Sequence, residues 1–135
     1  MKSGERYVFD SHALLKFFQK EEGYEKVVEL LETINKNNLV RCLNAINLGE
    51  IIYCTKREFG DQKKLEVLAH IERLYFTILP VPNSLIFQAA EYKAEYPISY
   101  SDCFVLASAI EHTATIVTGD PDFKKVEHLV KIVWV

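Results

Sequence analysis

Short apolar runs alternate along this chain with longer stretches of helical spacing. Arg6-Tyr7-Val8-Phe9 is a run of β-formers that ends in a carboxylate, Asp10, and reads as a buried strand. A helical stretch, Ser11-His12-Ala13-Leu14-Leu15-Lys16-Phe17-Phe18, follows, begun by Asp10 or Ser11 and broken by Gly23. Tyr24, Val27, Val28, Leu31 and Ile34 recur at helical spacing, and Asn35-Lys36-Asn37-Asn38 closes that helix. Leu39-Val40-Arg41-Cys42-Leu43 is a second strand. Asn47-Leu48-Gly49-Glu50 opens a helix carrying Ile51 and Ile52, which Gly60 ends, and an amphipathic helix with Leu65, Leu68 and Ala69 comes next.

Phe76-Thr77-Ile78-Leu79 is a third strand, stopped by Pro80 and Pro82. Asn83 caps a helix with Leu85, Ile86, Ala89 and Ala90, which ends before Pro97. Ser99 or Ser101 starts the next helix, Asp102 to about Glu111. Its residues from Cys103 to Ile110 are apolar on nearly every side, which predicts burial all round. Thr115-Ile116-Val117-Thr118 is a fourth strand, Gly119-Asp120-Pro121-Asp122-Phe123 a turn into a short helix, and Lys131-Ile132-Val133-Trp134-Val135 a terminal strand. Strands alternating with helices predict an α/β fold with a parallel sheet covered on both faces.

Composition sharpens this only a little. A chain of 135 residues, 49% apolar and 26% charged, suits one domain spanning 1-135 with one core. The net charge of -3 argues mildly against a general nucleic-acid binder, although a local basic patch can coexist with an acidic pocket. Met1-Lys2-Ser3-Gly4-Glu5-Arg6 contains no apolar signal segment, and no run approaches the ~18 apolar residues of a membrane span. A cytoplasmic location is the expectation. Cys42, Cys54 and Cys103 form no CxxC pair and read as reduced, packed thiols. His12, His70, His112 and His128 lack ligand spacing.

Four carboxylates carry the chemistry. Each taken alone has a structural explanation: Asn47-x-x-Glu50 and Ser99-x-x-Asp102 fit a capping box, Asp120-Pro121 an N-cap with proline in the first turn, and Asp10 a cap of the first helix. Together they say more. If strands one, two and four are parallel, Asp10, Glu50 and Asp120 follow them at one sheet edge. The helix that begins near Asp102 runs antiparallel to the fourth strand, so its start returns to that edge. Ionised carboxylates crowded there repel one another unless a cation joins them. An oxygen-only donor set favours Mg²⁺ or Mn²⁺ over zinc, and such ions bind phosphates and activate water. The chemistry implied is phosphodiester hydrolysis.

With these residues in hand, the chain resembles a PIN domain, with its nearest likeness among the short single-domain ribonuclease toxins of the VapC kind in prokaryotic toxin–antitoxin pairs. The matching segments are Tyr7-Val8-Phe9-Asp10-Ser11-His12-Ala13-Leu14-Leu15, Asn47-Leu48-Gly49-Glu50-Ile51-Ile52-Tyr53, Ser101-Asp102-Cys103-Phe104-Val105-Leu106-Ala107-Ser108-Ala109 and Val117-Thr118-Gly119-Asp120-Pro121-Asp122-Phe123. The resemblance implies a three-layer α/β/α architecture of strand order 3-2-1-4-5 and metal-dependent endoribonuclease activity. It implies Asp10, Glu50, Asp102 and Asp120 as catalytic metal ligands, Asp122 as an auxiliary acid, and Ser11 and Thr118 as hydroxyls lining the site. It also implies a homodimer and a small antitoxin protein that covers the cleft. His12 departs from the Ser or Asn of many relatives; its imidazole either donates a hydrogen bond behind the acids or points away.

An acidic cleft repels RNA until a cation fills it, so basic side chains must draw the substrate in. Lys56, Arg57, Lys124 and Lys125 are the RNA-binding candidates, because their segments begin at the expected cleft. The apolar surplus of the first two helical segments suits either a protein contact or core packing. A non-catalytic PIN-like module binding RNA or protein is the competing reading. A phospho-acceptor domain fits less well, since Asp10-Ser11-His12 lacks a DxD pair and no acid pair precedes the first strand.

Overall fold

Chain segments of period two and period 3.6 assemble as that alternation requires. The computed structural model describes residues 5–135; Met1 to Gly4, part of the stretch read for a signal segment, lie outside them. Strands β1 (Arg6–Phe9), β2 (Val40–Asn44), β3 (Thr77–Leu79), β4 (Thr115–Thr118) and β5 (Ile132–Trp134) form one sheet of order β3-β2-β1-β4-β5. Every pairing is parallel, with Val8 level with Cys42 and Ile116, and Phe9 level with Leu43 and Val117. The helices are α1 (Ser11–Gln19), α2 (Tyr24–Lys36), α3 (Ala45–Phe59), α4 (Asp61–Arg73), α5 (Asn83–Glu95) and α6 (Tyr100–Glu111), with a 3₁₀ turn at Pro121–Val126. The α/β class and the 3-2-1-4-5 order are those expected from the sequence.

Successive strand residues point to opposite faces, and the core divides accordingly. Val8, Cys42 and Ile116 face α5, α6 and the 3₁₀ turn through Leu85, Ala89, Phe104 and Phe123. Tyr7, Phe9, Leu43 and Val117 face α1 to α4 through Leu14, Val27, Ile51 and Ile71. Both faces are thus covered, as a parallel sheet needs. Helix α6 is buried continuously from Asp102 to Ala109, in accord with its all-round apolar sequence. Cys42 and Cys103 are buried free thiols, and Cys54 is a half-buried one.

The starts of two helices differ from expectation, and a third settles an open choice. Asn44, not Asn47, caps α3: its side chain accepts from the Ile46 amide at 2.8 Å. The extended strand residue supplies the cap, which leaves Asn47 inside the first turn. Asn83 is the first residue of α5 rather than its cap; Pro82 holds the N-cap position without a side-chain hydrogen bond. The choice between Ser99 and Ser101 falls to Ser99, which accepts from the Asp102 amide at 3.2 Å. Gly23 and Gly60, both at φ near +90°, occupy the N-cap positions of α2 and α4, where a left-handed backbone favours glycine.

Among the described residues, no helix is long and apolar enough to cross a membrane.

Candidate active site

The strand order reverses direction between β1 and β4: from β1 the chain builds outward to β2 and β3, and from β4 to β5. In open α/β sheets the crevice at such a switch point, beyond the carboxyl ends of the strands, is the ligand site. Asp10 directly follows β1, and Asp120 lies just beyond β4.

Asp10 is only 1% exposed. It caps α1, with Oδ1 accepting from the Ala13 amide at 2.8 Å, while Oδ2 accepts from the Thr118 hydroxyl. Thr118 Oγ1 in turn accepts from the Asp120 amide at 3.0 Å, so one hydroxyl fastens the tips of β1 and β4 together. Burial pushes the Asp10 carboxyl up to about 7; the Thr118 and Ala13 hydrogen bonds oppose this, and the charges of Asp102 and Asp120 add to it. Asp102, in the first turn of α6, is pushed up to about 6, again first by burial, with Ser99 opposing and Asp120, Glu50 and Asp122 adding repulsion. The acids expected to meet therefore share one electrostatic neighbourhood, even though they arrive on four separate elements.

Glu50 stands in the second turn of α3, further into the helix than expected. Its Oε1 accepts from Ser11 Oγ at 3.1 Å and Asn47 Nδ2 at 3.0 Å. Asp120 caps the 3₁₀ turn through the Asp122 amide at 2.9 Å, with Pro121 as the first residue of that turn. Asp122 pairs with Lys125 at 3.2 Å. The capping explanations for Asp10 and Asp120 thus hold alongside their convergence. Ser11 and Thr118 bond acids directly. As placed, no three Asp, Glu, His or Cys side chains among the described residues stand close enough to enclose a metal ion by themselves.

The basic residues divide. Lys56 is drawn to Asp61 at 3.3 Å, and Lys125 is held by Asp122 and by the Pro97 carbonyl at 3.1 Å. Lys124 is exposed. The Arg57 guanidinium lies 5.1 Å from the Tyr53 ring centroid.

Several contacts around the site were not anticipated. Asn47, read as a cap, orients Glu50, and its own Oδ1 is buried with no hydrogen-bond partner among the described residues. The i, i+3 spacing of Asn47 and Glu50 was the available signal. Asn44 Nδ2 donates to Ser108 Oγ at 2.9 Å, tying α3 to α6. Gly119 sits where a Cβ would fall 2.6 Å from the Val135 carbonyl oxygen, 2.9 Å from Lys16 Nζ and 3.0 Å from His12 Cε1. His12 therefore packs against the turn before Asp120, with its Nδ1 buried and without a hydrogen-bond partner among the described residues.

Comparisons with known proteins agree with this architecture. A chain of VapBC2 of Rickettsia felis, solved bound to a DNA fragment from the promoter, superposes with a TM-score of 0.78 at 19% identity, covering 95% of this chain and 97% of that one. DNA-bound VapBC of Salmonella typhimurium gives 0.77 at 15% identity, covering 96% and 97%. VapC20 of Mycobacterium tuberculosis, described as a sarcin-ricin loop cleaving toxin, gives 0.73 at 16% identity, covering 89% and 94%. No curated protein matches the sequence significantly. The PIN domain family profile matches residues 7–129, nearly the whole chain, and the chain belongs to the PIN domain family.

Proposed function

We propose that this PIN domain is a Mg²⁺- or Mn²⁺-dependent endoribonuclease that hydrolyses RNA phosphodiesters, and that it is the toxin of a cytoplasmic toxin–antitoxin pair. The observation that carries the reading is the coupling of buried Asp10 with Asp102 and Asp120 at the switch-point crevice. Two buried carboxyls raised toward neutrality are costly to a fold that gains nothing from them. Asp10, Glu50, Asp102 and Asp120 would hold the cation, with Asp122 as auxiliary. The donor set is all oxygen, including the unpartnered Asn47 Oδ1, which suits a hard ion. Mg²⁺ keeps several waters and needs only one or two carboxylates, so the lack of a closed three-ligand cage among the described residues is compatible with it.

A bound divalent ion would supply an activated water and charge screening for the phosphate. The chain's own side chains prepare the place. Ala13 and Thr118 fix both Asp10 oxygens, while Ser11 and Asn47 fix one oxygen of Glu50 and leave the other free of a side-chain donor. Lys124 and Arg57, neither paired with a carboxylate among the described residues, are the better phosphate contacts; Lys56 and Lys125 must first release an acid.

The VapBC relatives support an antitoxin partner for this chain. A groove of about 490 Å³ between α1, α2 and α4, floored by Phe17, Phe18 and Tyr24, is edged by Lys20, Lys63, Arg73 and Glu66, the last paired with Lys63 at 3.7 Å, and offers an apolar seat with a net basic rim. Its chemistry suits an amphipathic segment with acidic flanks. A homodimer is the accompanying expectation. The open edge strand β3 beside the apolar hollow of Leu48, Leu68, Tyr75 and Ile78 supports it.

The test is direct. Purified protein should cut structured RNA with Mg²⁺ or Mn²⁺ and stop with EDTA, and Asp10→Asn or Asp102→Asn should abolish cutting without unfolding the chain. Wild-type rates in both variants would overturn the reading. Binding without any cutting would leave the non-catalytic module.

A further inference from the structure

Helix α3 continues outward from Glu50, and its solvent face carries features that the core does not require. Tyr53 is 47% exposed, while Ile51 and Thr55 make the buried face. The Arg57 guanidinium lies over the Tyr53 ring at 5.1 Å, within cation–π range. No carboxylate pairs with Arg57 among the described residues, whereas its neighbour Lys56 shares Asp61 with Lys64.

One turn before Tyr53 stands Gly49. A Cβ added there would meet nothing within 4 Å, and its φ does not lie in the left-handed region. Neither packing nor backbone conformation therefore asks for glycine, and mid-helix glycine is less stable than alanine. Aromatic side chains on helices lean back over the preceding turn. The bare backbone at Gly49 lies one turn before Tyr53 along the same helix, next in the chain to Glu50, and a Cβ there would meet open space.

We infer that Gly49, Tyr53 and Arg57 form a seat for one unpaired nucleobase of the RNA, stacked on the Tyr53 ring one helical turn from Glu50. This rests on the ribonuclease reading and deepens it. An aromatic face accepts any base, because every base has a π-face. Proteins that read RNA sequence do so largely on unpaired bases held this way. Arg57 keeps the ring in place and attracts the adjoining phosphate. The strand is thereby pinned beside the acids, so the seat sets where along the RNA the cut falls.

The experiment uses the full chain carrying Asp102→Asn, so that RNA stays intact, with Mg²⁺ present. Binding of a short unstructured RNA is compared with that of an abasic ribose-phosphate oligomer of equal length. The base-bearing RNA should bind roughly 5- to 150-fold more tightly, the range of one aromatic stack. Adding Tyr53→Leu should remove most of that preference, and Tyr53→Trp should keep it. Gly49→Ala should raise the melting temperature and still weaken RNA binding, a combination that a purely structural role does not produce.

If Tyr53→Leu and Gly49→Ala bind RNA as tightly as their parent, the seat is disproved and the ribonuclease reading stands. If Tyr53→Leu splits a dimer while leaving RNA affinity unchanged, the face is a protein contact and the seat is equally disproved. Wild-type protein that neither binds nor cuts RNA with Mg²⁺ or Mn²⁺ removes the ribonuclease reading itself, and the seat with it.

Discussion

Asp10 shows at the scale of one residue how this fold stores a cost at its crevice. Its carboxyl titrates at about 7 in the folded chain against 3.8 for the ordinary group, so the folded state holds the proton more tightly than the unfolded state. Between about pH 4 and pH 7 the unfolded chain binds fewer protons, and stability must fall as pH rises. Asp102, at about 6, adds to the same slope over a narrower window. In EDTA the melting temperature should therefore decline from pH 5 to pH 8. Asp10→Asn should flatten that decline and stabilise the chain at pH 8 by ~1–3 kcal/mol, below the ~4 kcal/mol ceiling of a three-unit shift. Thermal unfolding across pH decides it; a flat or rising profile in the parent contradicts the cause assigned here. The sequence made Asp10 visible twice, as a cap and as a strand-tip acid, and both roles are present. Spacing alone did not pair the Thr118 hydroxyl with the second oxygen, because 108 residues separate the two; only the PIN-domain resemblance placed Thr118 at the site. The same holds for Ser11 and Glu50, 39 residues apart. Local spacing reveals caps; contacts across the sheet edge leave no periodic trace.

Among the elements, α6 depends most on packing. Leu106 is fully buried, between Val105 and Ala107, which are also at 0% exposure. Leu106→Ala should cost ~2–5 kcal/mol through lost burial and the cavity left behind. Leu65→Ala on α4, at 57% exposure, should stay within about 0.5 kcal/mol. Urea unfolding of the two variants tests the contrast, and equal effects would mean that α6 is not the packed centre of its layer. This helix was legible because an apolar run without a polar stripe has few places to go. Helix starts were less so. Asn44 took the cap of α3 from Asn47 because β2 runs one residue further than its apolar pattern, and an asparagine at a strand end is already extended enough to cap. Pro82 took the N-cap position before α5 because its extended backbone is fixed by the ring, leaving Asn83 to begin the helix.

For the whole molecule, strand order is the cause of the site. Placing β1 at the centre, with β2 on one side and β4 on the other, brings the residues after β1 and β4 to one crevice. Helix α6, returning antiparallel to β4, adds Asp102. No single segment contains this information; it appears once parallel pairing is assumed, which is why the nearness of these acids could be expected from the order of elements. The consequence is global. Acids that repel one another across several elements should be relieved together when a cation enters, and an ion that binds only the folded chain stabilises it by mass action, ~2.7 kcal/mol at a hundredfold excess over its dissociation constant. Adding Mg²⁺ or Mn²⁺ to EDTA-treated protein should raise the melting temperature by several degrees, more at pH 8 than at pH 5, because Asp10 and Asp102 are charged only at the higher value. Asp10→Asn combined with Asp102→Asn should abolish most of the rise while leaving the apo protein more stable than its parent. A calorimetric titration without any shift at pH 8 would mean that the crevice does not gather cations. The same fold would then serve as a binding module, with its buried acids fastening β1, β4 and α6 rather than cutting RNA.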